Sequence, residues 1–177
     1  MIDYEELQKE GKEAGFTHVA VLQVSTIELL PEVRDMCAQC GQYGKRWTCP
    51  PACGTLKEYK EQLSKWTRGI LVQTVGMLED VLDGEGMIET QRKHKETFRK
   101  FTEYLYDTYG KVMPIGTGTC ELCKQCTYPD APCRFPDKAI SSMEALGMVV
   151  SQVCKANHLP YYYGECTIAY TGCYLLE

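Results

Sequence analysis

The stretch Lys111-Val-Met-Pro-Ile-Gly-Thr-Gly-Thr-Cys120-Glu-Leu-Cys123-Lys-Gln-Cys126 decides how this chain is read. Its first part, Lys111 to Thr117, has the length and side chains of a short strand. It runs without a spacer into Cys120-x2-Cys123-x2-Cys126-x6-Cys133. Downstream, Ser141-Ser-Met-Glu144 has the form of a capping box. That box predicts a helix with Leu146, Val149, Val150, Val153 and Cys154 turned inward. The order is strand, cysteine loop, helix.

The same order occurs earlier in the chain. His18-Val-Ala-Val-Leu-Gln-Val24 reads as a mostly buried strand. Pro31 to Met36 leads from it into Cys37-x2-Cys40-x8-Cys49-x3-Cys53, a loop rich in Gly and Pro. Thr55-Leu-Lys-Glu58 is a second capping box, with Leu56, Tyr59, Leu63 and Trp66 on the apolar face of its helix. The two loops are too unlike to indicate duplication. If the strands preceding them run parallel, both loops leave the same edge of a sheet and their sites are neighbours. Both then precede helix N-termini, where free N–H groups and the macrodipole favour an anion.

The remaining pattern also mixes helix and strand. Tyr4, Leu7, Gly11 and Ala14 mark one face of a first helix that Gly15 ends. Gly69 to Val75 is another strand, and Glu79 to Gly86 a polar turn. A long helix is predicted from Met87 to Tyr109, with Phe98, Phe101, Leu105 and Tyr109 on one side and Gly110 at its end. Pro160 to Leu176, including Tyr161-Tyr162-Tyr163, reads as one or two final strands. No linker composition divides the chain. The expectation is a single α+β or α/β domain over residues 1–177, with a central sheet of about four or five strands, flanking helices and cysteine-rich loops at strand ends.

Composition limits the function classes. The chain has 177 residues, 44% hydrophobic and 24% charged, as in a soluble globular protein. A net charge of −5 argues against a broad nucleic-acid-binding face. No apolar run approaches transmembrane length. The opening Met-Ile-Asp-Tyr-Glu-Glu-Leu is acidic and lacks the parts of a signal peptide, so a cytoplasmic location is expected. In such a reducing compartment, eleven cysteines point to metal binding or redox chemistry rather than to disulfides.

Each loop carries four thiols, enough for a tetrathiolate metal site or an iron–sulfur cluster. The third cysteine of the second loop separates these alternatives. Zinc ribbons clamp one ion between two separated pairs. The triple Cys120, Cys123, Cys126 has ferredoxin spacing, and three thiols on one short loop suit three corners of a cubane. Prolines flank the sites: Pro50-Pro51 follow Cys49, and Pro132 and Pro136 bracket Cys133. The first loop has no triple, and its spacing suits zinc almost as well. A [4Fe-4S] cluster on Cys37, Cys40, Cys49 and Cys53 and another on Cys120, Cys123, Cys126 and Cys133 is the preferred reading. Cys53 and Cys133 could exchange clusters, as last cysteines do in two-cluster ferredoxins. Tyr43, Lys45, Arg46, Trp47, Lys124 and Arg134 lie in or beside the loops, either as cations and packing around an anionic cluster or as ordinary loop surface.

Other candidates are weaker. Cys154 reads as a buried thiol, and Cys166 and Cys173 as core or surface thiols, with a reserve ligand role as the sharper alternative. His94 is placed on the polar side of the long helix, and no two of His18, His94 and His158 have metal-ligand spacing. No phosphate loop, nucleophile elbow or zinc-protease motif is present.

The signature Cys37-x2-Cys40, Tyr43-Gly44-Lys45-x-Trp47-x-Cys49-Pro50-Pro51, Cys120-x2-Cys123-x2-Cys126, Cys133-Arg134-x-Pro136 and Ser142-Met143-Glu144-Ala145-x-Gly147 resembles a cysteine-rich family. It is the "predicted metal-binding protein" family of unknown function (domain-of-unknown-function family 2284). The resemblance spans Cys37 to Gly147 and implies an iron–sulfur protein of anaerobic microbes with no agreed reaction. Three functions follow from the residues. The first is electron transfer with a redox partner protein. The second is an enzyme that keeps one iron open to a small molecule. The third is a zinc-stabilised interaction module.

Overall fold

The structure is a computed structural model describing residues 2–177. It is a single α+β domain. Helix α1 (Tyr4–Ala14) leads into strand β1 (His18–Gln23), and α2 (Pro31–Cys37) ends at the first cysteine. Helix α3 (Leu56–Leu63), β2 (Arg68–Met77), α4 (Gly84–Tyr109), β3 (Val112–Ile115), α5 (Val150–Ala156) and β4 (Thr167–Leu176) follow. The four strands are ordered β1-β2-β4-β3 and every neighbouring pair is antiparallel. The α/β alternative is thereby excluded. Strands β1 and β3 run in opposite directions, so the parallel arrangement that would bring both cysteine loops to one edge does not form.

Side chains alternate across the sheet and build a core on each face. On one face α1 and α4 cover Val19, Ile70, Val72, Tyr174 and Leu176. On the other, α3, α5 and the segment from Met143 to Met148 cover Leu22, Leu71, Cys173 and Leu175. The central pair is the most deeply buried: Ile70, Leu71, Val72, Cys173, Tyr174 and Leu175 have no exposed surface. Each such aliphatic side chain contributes roughly 1.5–3 kcal/mol.

The Thr55 capping box is complete, with Thr55 Oγ1 accepting from the Glu58 amide and Glu58 accepting from the Thr55 amide. It fixes the start of α3, with the N-cap Thr55 two residues after Cys53. The expected box at Ser141 forms only in part: Ser142, not Ser141, accepts from the Ala145 amide. Only a single 3-10 turn, Glu144–Leu146, follows. Gly147 stops it at φ +94, and its carbonyl accepts from the Leu30 amide. A side chain at 147 would also press on Leu30 and Leu56. Tyr161 to Tyr163 lie outside any strand, because the left-handed residues Gly164 and Cys166 break the chain before β4 begins.

His94 is fully buried, contrary to its expected place on the polar side of α4. It lies four residues from both Thr90 and Phe98, on the helix face that meets the sheet. Its ring packs on Phe16 and Phe98, and Nδ1 is 2.9 Å from Thr74 Oγ1. Burial pulls its pKa from 6.5 to about 3, with Lys95 adding to the effect. The folded pKa is depressed, so the unfolded chain takes up the proton first. Stability is therefore lost as the pH falls from about 6.5 towards about 3, approaching about 1.4 kcal/mol per pH unit. Urea unfolding of the protein and of His94→Gln at pH 7.5, 6 and 5 checks this. The two should converge in stability by ~2 kcal/mol between pH 7.5 and pH 5, and parallel pH profiles would refute the assignment.

Candidate metal centre

The first cysteine group is built around the last turn of α2 and the tight turns after it. Cys37 closes the helix, Cys40 is exposed, and Cys49 and Cys53 are buried. Successive turns hold them: the Cys40 amide donates to the Cys37 carbonyl and the Cys53 amide to the Cys49 carbonyl, both at 3.0 Å. Arg34 clamps the group from outside, with Nη1 donating to the carbonyls of Gly54 at 2.8 Å and Ala145 at 2.9 Å. The Cys37 and Cys53 sulfurs each stand 3.9 Å from a carbonyl of the turn opposite, Glu144 and Ala145.

Burial pushes the Cys37, Cys49 and Cys53 thiols above their ordinary range. Arg34 opposes this at Cys37 and Cys53, and the Thr48 hydroxyl opposes it at Cys49. The thiols also feel one another. Cys37 is raised by Cys40 and Cys53, and Cys49 by the same two. Cys37 and Cys49 thus each lie near both Cys40 and Cys53.

In the second group all four thiols line one small cavity of about 20 Å3. Burial raises Cys120, with the charges of Cys133 and Cys123 adding and the Leu122 amide and Arg46 opposing. Burial also acts to raise Cys126. There the amides of Tyr128, Trp47 and Thr127 and the Arg46 charge outweigh it, and the pKa falls. Amide donors aimed at sulfur stabilise a thiolate. The loop that carries these residues is unusual in one respect: from Thr117 to Ile140 no residue is buried.

Four consecutive residues join the groups. Arg46 Nη1 donates to the Cys120 carbonyl and Nε to Gln42 Oε1, each at 2.8 Å. Its charge lowers the thiol pKa of Cys49, Cys120 and Cys126. Trp47 Nε1 donates to the Ala131 carbonyl at 3.1 Å, and its ring meets Tyr128 edge-on at 5.0 Å. Thr48 lines the second-group cavity and also a groove shared by Cys53 and Cys133. Its hydroxyl is buried without a hydrogen-bond partner, although it stands close enough to Cys49 to lower that thiol's pKa. Cys49 completes the run. The groups are thus interlaced by this loop, not by strand polarity.

These donors suit a group that takes thiolates. The orphaned Thr48 hydroxyl would gain an acceptor once the Cys49 sulfur was charged, and the amides at Cys126 already point to that state. Among the described residues, no three His, Cys, Asp or Glu side chains are gathered as a single metal ion requires. One tetrahedral zinc ion would need sulfurs only ~3.8 Å apart, given its ~2.3 Å bonds.

The other cysteines stand apart. Cys154 and Cys173 are core thiols held protonated by burial, Cys154 with a pKa pushed up to about 11. Cys166 is half-buried in the turn before β4. His18 stacks on Tyr163, and no histidine lines the second-group cavity or the groove at Cys53. Sequence reasoning had Arg46 and Trp47 as candidates but missed Arg34, Thr48 and the backbone carbonyl of Glu144. Thr48 carried one unused signal: it sits directly between a loop aromatic and a cysteine.

Fold and site together define a cysteine-rich, single-domain α+β protein with two thiol groups joined by one loop. The family model for the predicted metal-binding proteins (DUF2284) matches residues 20–176, and the chain belongs to that family. No curated protein and no solved structure matches it. No helix among the described residues is long and apolar enough to cross a membrane.

Proposed function

We propose that the protein carries two [4Fe-4S] clusters and passes single electrons to or from a redox partner protein in the cytoplasm of an anaerobic microbe. Cys37, Cys40, Cys49 and Cys53 would hold one cluster, and Cys120, Cys123, Cys126 and Cys133 the other. The observation that carries this reading is the second loop. Its four thiols ring one cavity inside a segment with no buried residue. Ordering such a segment costs about 1–2 kcal/mol per residue in backbone entropy, and side chains that are at most half-buried offset little of it. A group bound by four thiolates supplies that energy, and the ferredoxin-like triple favours iron and sulfide over zinc.

When bound, the clusters supply one-electron chemistry. The protein's own residues set the conditions for it. Arg46, Arg34 and the amides at Cys126 stabilise negative charge on sulfur, which makes electron uptake easier. The Arg46-to-Cys49 run keeps the two groups adjacent.

A second reading, an enzyme with an open iron at the first group, has one observation in its favour. Cys37, Cys40 and Cys49 line a cavity that Cys53 does not.

Anaerobic purification with iron, sulfide and zinc analysis tests the proposal, together with electron paramagnetic resonance before and after reduction. About eight irons and eight sulfides per chain are expected. Zinc without sulfide would overturn it. Cys53→Ser decides between the readings: retained iron at the first site would favour the open-iron enzyme.

A further inference from the structure

Strand β4 spans Thr167–Leu176, but β3 flanks only Cys173 to Leu176. Residues 167–172 have β2 on one side and no strand on the other. A cavity of about 520 Å3 opens there. Cys37, Cys40 and Cys49 form one wall, the stretch from Ile168 to Thr171 another, and Tyr43, Tyr161 and Glu144 close it. Cavities of roughly 300–1,000 Å3 hold drug-sized molecules, several times the eight atoms of a cubane cluster.

The charge of this lining is one-sided. No Lys, Arg or His is among the lining residues. Glu144 is its one acidic side chain, and among the described residues it has no ion-pair partner. It lies close enough to Cys37 and Tyr161 to raise the pKa of both. Three thiols and three tyrosines (Tyr43, Tyr161, Tyr170) line the same cavity. A carboxylate and the face of an aromatic ring both attract cations, and neither attracts an anion.

We propose that this cavity binds a small organic cation, an ammonium-bearing molecule, between Glu144 and the tyrosines, against the first cysteine group. The proposal draws on the cluster reading only for added negative charge at the thiols; Glu144 and the tyrosines act without it.

Three probes of similar shape test the charge preference: benzylammonium, benzyl alcohol and benzoate. Each is titrated calorimetrically into anaerobically purified protein of known iron, sulfide and zinc content. Benzylammonium should bind at least about tenfold more tightly than the alcohol, and benzoate should not bind. Glu144→Gln should weaken benzylammonium by about tenfold with metal content unchanged. Tyr161→Ala, at an exposed position, should weaken it about threefold. Equal binding of the three probes, no binding of benzylammonium, or full affinity in Glu144→Gln would overturn the proposal. Zinc without sulfide in the same sample would overturn the cluster reading alone, and the probe titration would still be decisive for the cavity.

Discussion

Stripping the metal is expected to open the segment from Thr117 to Ile140 to proteolysis while the sheet stays closed. The segment has no helix, no strand and no buried residue. Its anchors are few and largely at its edges. Lys95 donates to the Thr119 carbonyl and pairs with Glu121, Arg46 holds the Cys120 carbonyl, and Trp47 holds the Ala131 carbonyl. Within it, Thr127 donates to the Pro132 carbonyl and Arg134 to the Gln125 carbonyl. Each such bond contributes only ~1 kcal/mol net, against an ordering cost that grows with every residue. The central strands bury Ile70, Leu71, Val72, Tyr174 and Leu175 completely and do not depend on the loop. Trypsin with the metal-loaded and chelated protein checks this at Lys124, Arg134 and Lys138, all exposed. Cleavage there should accelerate by at least about tenfold, the equivalent of ~1.4 kcal/mol of local opening. Unchanged cleavage after complete metal loss would show that the loop holds itself, and the strongest support for a four-thiolate group there would fall.

What the sequence revealed and what it hid divide along physical lines. Strands β1 and β2 are short apolar runs bounded by turns, and the α4 stripe of Phe98, Phe101 and Leu105 follows helical spacing; both are local signals. His94 was misplaced because Lys93 and Lys95 flank it, yet its neighbours in space are Thr90 and Phe98. Sheet order was illegible, since pairings such as Ile70 with Tyr174 are decided by distant partners. At the site, the two runs of cysteines were visible as spacing, and the cavity that the four of the second run line matches that spacing. The interlacing of the two runs was not visible: Arg46 reaches Cys120 across 74 positions of chain. The expected strand at Tyr161 failed because the left-handed turn at Gly164 and Cys166 carries no distinctive local pattern.

That interlacing gives Arg46 a role that no other cation among the described residues shares. Arg34 touches the first group only, near Cys37 and Cys53. Lys45 donates to the Gly41 carbonyl and is exposed. Arg46 is half-buried, hydrogen-bonded on two sides, and close to thiols of both groups. Removing its charge should therefore act on two centres at once. A unit charge several ångströms away at an effective dielectric near 20 contributes roughly 1–2 kcal/mol. Partial exposure screens this, leaving a shift on the order of 30–60 mV for a one-electron couple. In Arg46→Gln the midpoint potentials of both proposed clusters should move negative, because the more negative, reduced state loses its stabilising cation. Arg34→Gln should move one potential and leave the other. Arg46→Lys retains the charge but loses the planar fork to the Cys120 carbonyl and Gln42, so its potentials should lie between those of the native protein and Arg46→Gln. Redox titration followed by electron paramagnetic resonance reads all three variants. If Arg46→Gln shifted a single potential, the common cation would be refuted and the two groups would be neighbours without electrostatic linkage.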